Sequence, residues 1–223
     1  AMTKCIELAI GPLLFNWPAD RVETFYARIA EETPAATVYL GEVVCGKRQP
    51  LLQGVLARSA ERLERAGKTV IWSTPALPAS PRERRLAAEL AADLDRLIEV
   101  GDMSAVWTRT PAPFVAGPLL NLYNAPAAAE LVRLGCVRLC ANVELSLSSI
   151  TEIARACPGL ELELFAFGRL PLALSSRCIQ ARIEGLHRDA CRYVCDGHPD
   201  GMDVATIEGK SFLAVNGLQT LSH

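Results

Sequence analysis

Three cysteines, Cys178, Cys191 and Cys195, fall within 18 residues of one another. Thiolates are soft ligands, suited to an iron-sulfur cluster or to zinc. Cys191 and Cys195 are four apart. A short helix over residues 187–195 would set both sulfurs on one face, with Cβ atoms about 5–6 Å apart. That separation suits two irons of one cluster and is within reach of a single zinc. Arg177, Arg182, Arg188 and Arg192 flank the group, and nearby cations favour the thiolate. Three sulfurs call for a fourth. Cys45 is the candidate, in a loop after the second strand, with Gly46 beside it to admit a bulky cofactor. Spacing alone leaves iron-sulfur, zinc and plain buried thiols all open.

The other cysteines read as small core hydrophobes. Cys5 lies in an apolar run and Cys157 ends a helix. Cys136 and Cys140 share a strand, where about 3.3 Å per residue sets them roughly 13 Å apart, too far to share a small site. His187 and His198 flank the cysteine segment and are expected at the surface or beside the site rather than as ligands. Glu42, next to Cys45, is expected to pair with Lys47 or Arg48. Trp17 and Trp72 follow the first and third strands, where they could line a pocket for a quinone-like ring or pack under loops. Arg84 and Arg85 fall on the solvated side of a helix.

The chain has 223 residues, 50% hydrophobic and 22% charged, with a formal net charge of −2 and eight cysteines. That balance supports a sizeable core and excludes disordered, collagen-like and strongly basic nucleic-acid-binding chains. Residues 1–4 are not the charged start of a signal peptide, and no run of 18 apolar residues suggests a membrane span. The expectation is a cytoplasmic chain with reduced thiols.

The elements that must position these residues alternate. Strands are expected at 5–10, 37–40, 68–72, 103–107, 114–119, 136–140 and 160–165. Helices are expected from Asp20, from near Pro50 to Gly67, from Ser80 to Gly101 along Leu86, Leu90, Leu94 and Leu97, from Asn124 to Gly135, and from Ser149 to Cys157. Seven strands without a Gly-x-Gly-x-x-Gly turn favour a TIM-type (β/α) barrel in one domain over residues 1–223. The rhythm breaks after residue 165. Residues 165–182 read as loop, and a hairpin is expected at 204–215, turning at Glu208-Gly209. Residues 166–217 are therefore expected to be a cysteine-rich insert after the seventh strand. No eighth unit follows, so the barrel is expected to be open or truncated.

Glu163-Leu-Phe165-Ala-Phe-Gly168, followed by Ser175-Ser-Arg177-Cys178, resembles the signature of the collagenase-like peptidase family. Pro171 stands where that signature usually has a cysteine. With Cys45 in the second βα loop, the Cys-x12-Cys-x3-Cys spacing, Gly11-Pro12-Leu13, Trp17-Pro18 and Gly41-Glu42-Val43-Val44-Cys45, the chain resembles the UbiV branch of that family. The resemblance implies a 4Fe–4S cluster on Cys45, Cys178, Cys191 and Cys195. It also implies a UbiU-like partner, and a role in oxygen-independent hydroxylation of a ubiquinone precursor with prephenate as oxygen donor. Neither His-Glu-x-x-His nor Gly-x-Ser-x-Gly is present, so a working peptidase is not expected. A related RNA-hydroxylation protein and a zinc-stabilised scaffold are the alternatives. The charge speaks against nucleic acid.

Overall fold

Along the strands, side chains alternate between two environments, as the two-residue period requires. Val38 and Leu40 pack with Val22, Tyr26, Leu52 and Leu56 from helices. Between them, Tyr39 faces the other way and packs with Ile71, Val115 and Leu97. Ile98, Val100, Phe114 and Ala116 again meet helical residues such as Val106, Leu131 and Ile153.

The computed structural model, which describes residues 6–223, builds this pattern from β1 (Ala9–Ile10), α1 (Ala19–Glu32), β2 (Thr37–Leu40), α2 (Gln49–Arg65), β3 (Thr69–Ser73), α3 (Pro81–Ala91), β4 (Ile98–Val100), α4 (Met103–Arg109), β5 (Phe114–Ala116), α5 (Ala125–Arg133), β6 (Cys136–Cys140), α6 (Leu147–Ala156) and β7 (Glu161–Glu163). The seven strands form one parallel sheet in sequence order. Each strand therefore lies beside its predecessor, and crossovers of one hand keep the helices on one face. The sheet curls: the Tyr39 hydroxyl on β2 donates to the Glu163 carboxylate on β7 at 2.8 Å. No pairing joins β7 to β1 among the described residues, so this is an open, TIM-like half-barrel.

Several expected elements shift. Residues 103–107 are not a strand but the start of α4, opened by Asp102, whose side chain accepts from Ser104 N–H. The strand lies earlier, at β4. The Ser80 capping box opens α3 as expected, but the helix stops at Ala91. Its buried residues are Glu83, Ala87 and Ala91, while Leu94 lies exposed beyond its end. Ser146, not Ser149, caps α6, and Pro18 opens α1 without a side-chain cap from Asp20. Cys5 lies outside the described residues.

Beyond β7, residues 165–182 are not loop throughout. They contain β8 (Pro171–Leu174) and most of α7 (Ile179–Ile183). β9 (Met202–Ala205) and β10 (Ser211–Asn216) form the expected hairpin. β11 (Gln219–Ser222) completes an antiparallel sheet of order β8-β11-β10-β9. β11, past residue 217, lies in this sheet between β8 and β10. The expected helix at 187–195 is replaced by single 3-10 turns at Arg188–Ala190 and Val194–Gly197. Between these turns Arg192 and Tyr193 adopt positive φ, which no α-helix tolerates.

Candidate metal centre

The loop after β2 is shaped by Glu42. Its Oε1 accepts from the Val44 and Cys45 N–H groups, each at 2.8 Å. This carboxylate turn presents Cys45. Glu42 therefore does not pair with Lys47, whose Nζ donates instead to the carbonyls of Arg188 and Asp189. Gly46 is required for a different reason from cofactor access. A Cβ there would collide with the Glu83 side chain, which is buried at the start of α3 and ion-paired to Arg188. Through that pair, α3 grips the segment that carries Cys191.

Cys178 caps α7, with its Sγ accepting from Ala181 N–H at 3.4 Å. Cys45, Cys178 and Cys191 share one buried apolar cluster with Val43, Val44, Ala181 and Leu218. Cys195 adjoins it, close enough to Cys178 for their charges to interact, and its Sγ accepts from Asn16 Nδ2 at 3.4 Å. All four thiols are 8–9% exposed. Thus the four candidate ligands, drawn from the β2 loop and from the C-terminal layer, are brought together, although not by the helical spacing expected for Cys191 and Cys195. Among the described residues, no group of three or more His, Cys, Asp or Glu is placed to hold a metal ion.

The principal charge beside these thiols is Arg48, 1% exposed. It donates to Asn216 Oδ1 at 2.9 Å. Asn216 Nδ2 in turn donates to the Leu14 carbonyl at 2.6 Å. Burial alone would lower the Arg48 pKa, but Glu42, then Cys195 and Cys45, hold it above its usual value. Burial pushes the Cys45 and Cys195 thiols up, with Arg48 among the groups opposing the rise at both. Glu42 is also raised, by burial first, against the pull of Arg48. The flanking arginines singled out in the sequence matter less, apart from Arg188, which also favours the Cys45 thiolate.

Arg177, Arg182, His187 and Arg188 line a cleft of about 190 Å³ that reaches Cys178. His198 is exposed. Trp17 is engaged by neighbouring side chains. Its indole N–H donates to Asp200 at 2.7 Å and its face carries the Arg21 guanidinium at 3.8 Å. Trp72 packs toward the α1–α2 core. Cys136 and Cys157 are core thiols within the helix-facing cluster. Cys140 differs, standing on the concave face beside Glu99 and Glu163.

The donor chemistry suits a thiolate-bound group: Cys45, Cys178 and Cys191 share one buried cluster with Cys195 beside it, N–H groups donate to Cys178 and Cys195, and the Arg48 guanidinium faces Cys45 and Cys195.

The model of peptidase family U32 matches residues 19–198, which include β2 to β7 and all four of these cysteines. The chain belongs to peptidase family U32. As a U32 protein it is similar to tRNA hydroxylation protein P from two strains of Helicobacter pylori, at 38% identity over 64 residues. That match covers 29% of this chain and spans 15% of the length of those relatives. A solved mandelate racemase/muconate lactonizing protein from Paracoccus denitrificans aligns with 96% of this chain and 63% of its own, at 15% identity and a TM-score of 0.45. No helix among the described residues is long and apolar enough to cross a membrane.

Proposed function

We propose that this U32 protein is the iron-sulfur component of an oxygen-independent hydroxylation system, with Cys45, Cys178, Cys191 and Cys195 as the ligands of a 4Fe–4S cluster. The observation that carries this reading is that Cys45, Cys178 and Cys191 share one buried cluster with Cys195 beside it, and that Arg48 faces Cys45 and Cys195. A single zinc would need its four sulfurs at about 2.3 Å from one point. In a four-iron cluster each thiolate takes its own iron, which suits a looser grouping. Bound there, the cluster would supply one-electron chemistry. The chain's own residues would set its surroundings: Asn16 and Ala181 donate hydrogen bonds to sulfur, Arg48 offsets thiolate charge, and Val43, Val44 and Leu218 exclude water.

The substrate in this reading is a ubiquinone precursor, and a UbiU-like protein is the partner subunit. The arginine-lined cleft at Cys178 suits the carboxylates of an oxygen donor such as prephenate. A second reading, hydroxylation of RNA, is favoured by the similarity to tRNA hydroxylation protein P. The formal charge of −2 is the argument against it.

Anoxic co-expression with a UbiU-like protein tests both. The expected result is brown protein with about four irons per chain, lost in each of the four Cys→Ala variants and kept in Cys136→Ala. Zinc without iron under anoxic conditions would instead identify a zinc scaffold. In a host lacking its own system, restored ubiquinone supports the first substrate, and hydroxylated tRNA without ubiquinone supports the second.

A further inference from the structure

The side chain of Gln180 is held at one end only. It lies on α7, just after Cys178, and is 3% exposed. Its Oε1 accepts from the Gly217 N–H at 2.7 Å, and that bond fixes which end of the amide is oxygen. The other end, Nε2, is buried and has no hydrogen-bond partner among the described residues. Buried donors are rarely left unpaired in a folded chain. This one calls for an acceptor that neighbouring side chains do not supply.

The Gly217–Leu218 turn sets the place of the amide. Ile179 N–H donates to the Gly217 carbonyl at 3.3 Å, so the turn crosses the start of α7, where Cys178 is the cap. Leu218 belongs to the buried cluster that contains Cys45, Cys178 and Cys191. Gly217 lies against Arg48, since a Cβ on it would come within 2.8 Å of the guanidinium Nη2. That guanidinium faces Cys45 and Cys195. The Gln180 amide is therefore bonded to the one turn that meets both the cysteine cluster and Arg48.

Gln219 is a contrast. It is 0% exposed and stands opposite Asn216 across the hairpin, but both ends of its amide lack a partner. Nothing fixes the direction in which it presents a donor.

The polarity of the Gln180 orphan matches the chemistry of the cysteine site. Thiolates and the sulfides of an iron-sulfur cluster accept hydrogen bonds and have none to give. An added electron increases the negative charge on those sulfurs. A donor bond is then stronger in the reduced state, and it raises the reduction potential.

We infer that Gln180 Nε2 donates a hydrogen bond to sulfur of the group bound by Cys45, Cys178, Cys191 and Cys195, and that this bond sets the group's reduction potential. The inference rests on the iron-sulfur reading given above. It adds a residue that ligates nothing but tunes the site.

Redox titration of the anoxically purified full chain, with iron counted, tests it in wild type, Gln180→Met and Gln219→Leu. Gln180→Met removes the donor at similar volume. It should keep its iron and shift the couple toward the oxidised state about tenfold, a fall of about 59 mV for one electron. Gln219→Leu should leave the potential unchanged. A second readout needs no substitution. Pulsed electron paramagnetic resonance of reduced wild type, grown with isotopically labelled glutamine, should show a weakly coupled side-chain nitrogen. Iron-loaded wild type without that nitrogen, an iron-loaded Gln180→Met with the wild-type potential, or an equal shift in Gln219→Leu would each overturn this inference alone. Wild type without iron under anoxic conditions would overturn the iron-sulfur reading and this inference with it.

Discussion

Tyr39 on β2 donates to Glu163 on β7 at 2.8 Å, although four strands lie between them in the sheet. The bond forms only because the sheet is curled, and it ties the two ends of the half-barrel across its concave face. Tyr39→Phe keeps the ring and removes the donor. Loss of one hydrogen bond to a charged partner should cost about 1.5–3 kcal/mol, read as a lower urea midpoint with an unchanged slope. An unchanged midpoint would mean that the tie contributes nothing to curvature.

The sheet, its parallel order and most of its strands were legible because each strand is a short apolar run next to a capped helix. α3 ends earlier than its leucine period implies. Its leucines continue the period, but the guanidinium of Arg109 gathers the carbonyls of Ala91, Asp93 and Arg96. A residue 18 positions downstream thus terminates the helix, and no local pattern reports that. The cysteines were legible because the residue type is scarce and its chemistry narrow. Asn16, Arg48 and the Glu42 turn were not singled out as partners of the thiols, since only the fold sets them against sulfur. The carboxylate two and three residues before the Val44 and Cys45 N–H groups was the one local signal available.

Glu83 gives a second prediction, because one carboxyl does three things. It closes the capping box with Ser80 N–H, pairs with Arg188, and packs over Gly46. Glu83→Ala would leave Arg188 without its anion in a mostly buried setting, so a loss of about 3 kcal/mol is expected. Gly46→Ala should cost about 1–3 kcal/mol by overpacking the same contact. Both variants should also speed the reaction of Cys45 and Cys191 with a thiol reagent, since α3 then no longer grips their segments. Faster global unfolding without selective exposure of those two thiols would argue against the grip.

Glu99 makes stability pH-dependent with a definite sign. Burial pushes its folded pKa up to about 7, above the ordinary glutamate value of 4.5. Between those values the native state holds the extra proton, so its stabilising contribution is present at low pH and is lost as pH rises through 7. The full loss is on the order of 3 kcal/mol. Urea unfolding at pH 5 and pH 8 should show wild type weaker at pH 8, and Glu99→Gln should remove most of that difference. A wild-type profile that rises from pH 5 to pH 8 would contradict the assignment.

Arg48 and Glu42 give the last prediction, which separates structure from cofactor. Glu42 is 5% exposed with one oxygen, Oε2, unpartnered among the described residues, and the opposing positive charge is Arg48. Arg48→Met strands that carboxylate in the interior, a change that costs about 3–5 kcal/mol. Glu42→Gln alone keeps an oxygen to accept from the Val44 and Cys45 N–H groups but removes the charge, so it should cost far less. Combining the two removes the stranded charge, and the double variant should recover part of the Arg48→Met loss. Under the proposed cluster reading, stability restored without recovery of iron would show that Arg48 acts on the thiolates directly. Recovery of both together would show that it acts by holding the Glu42 turn in place.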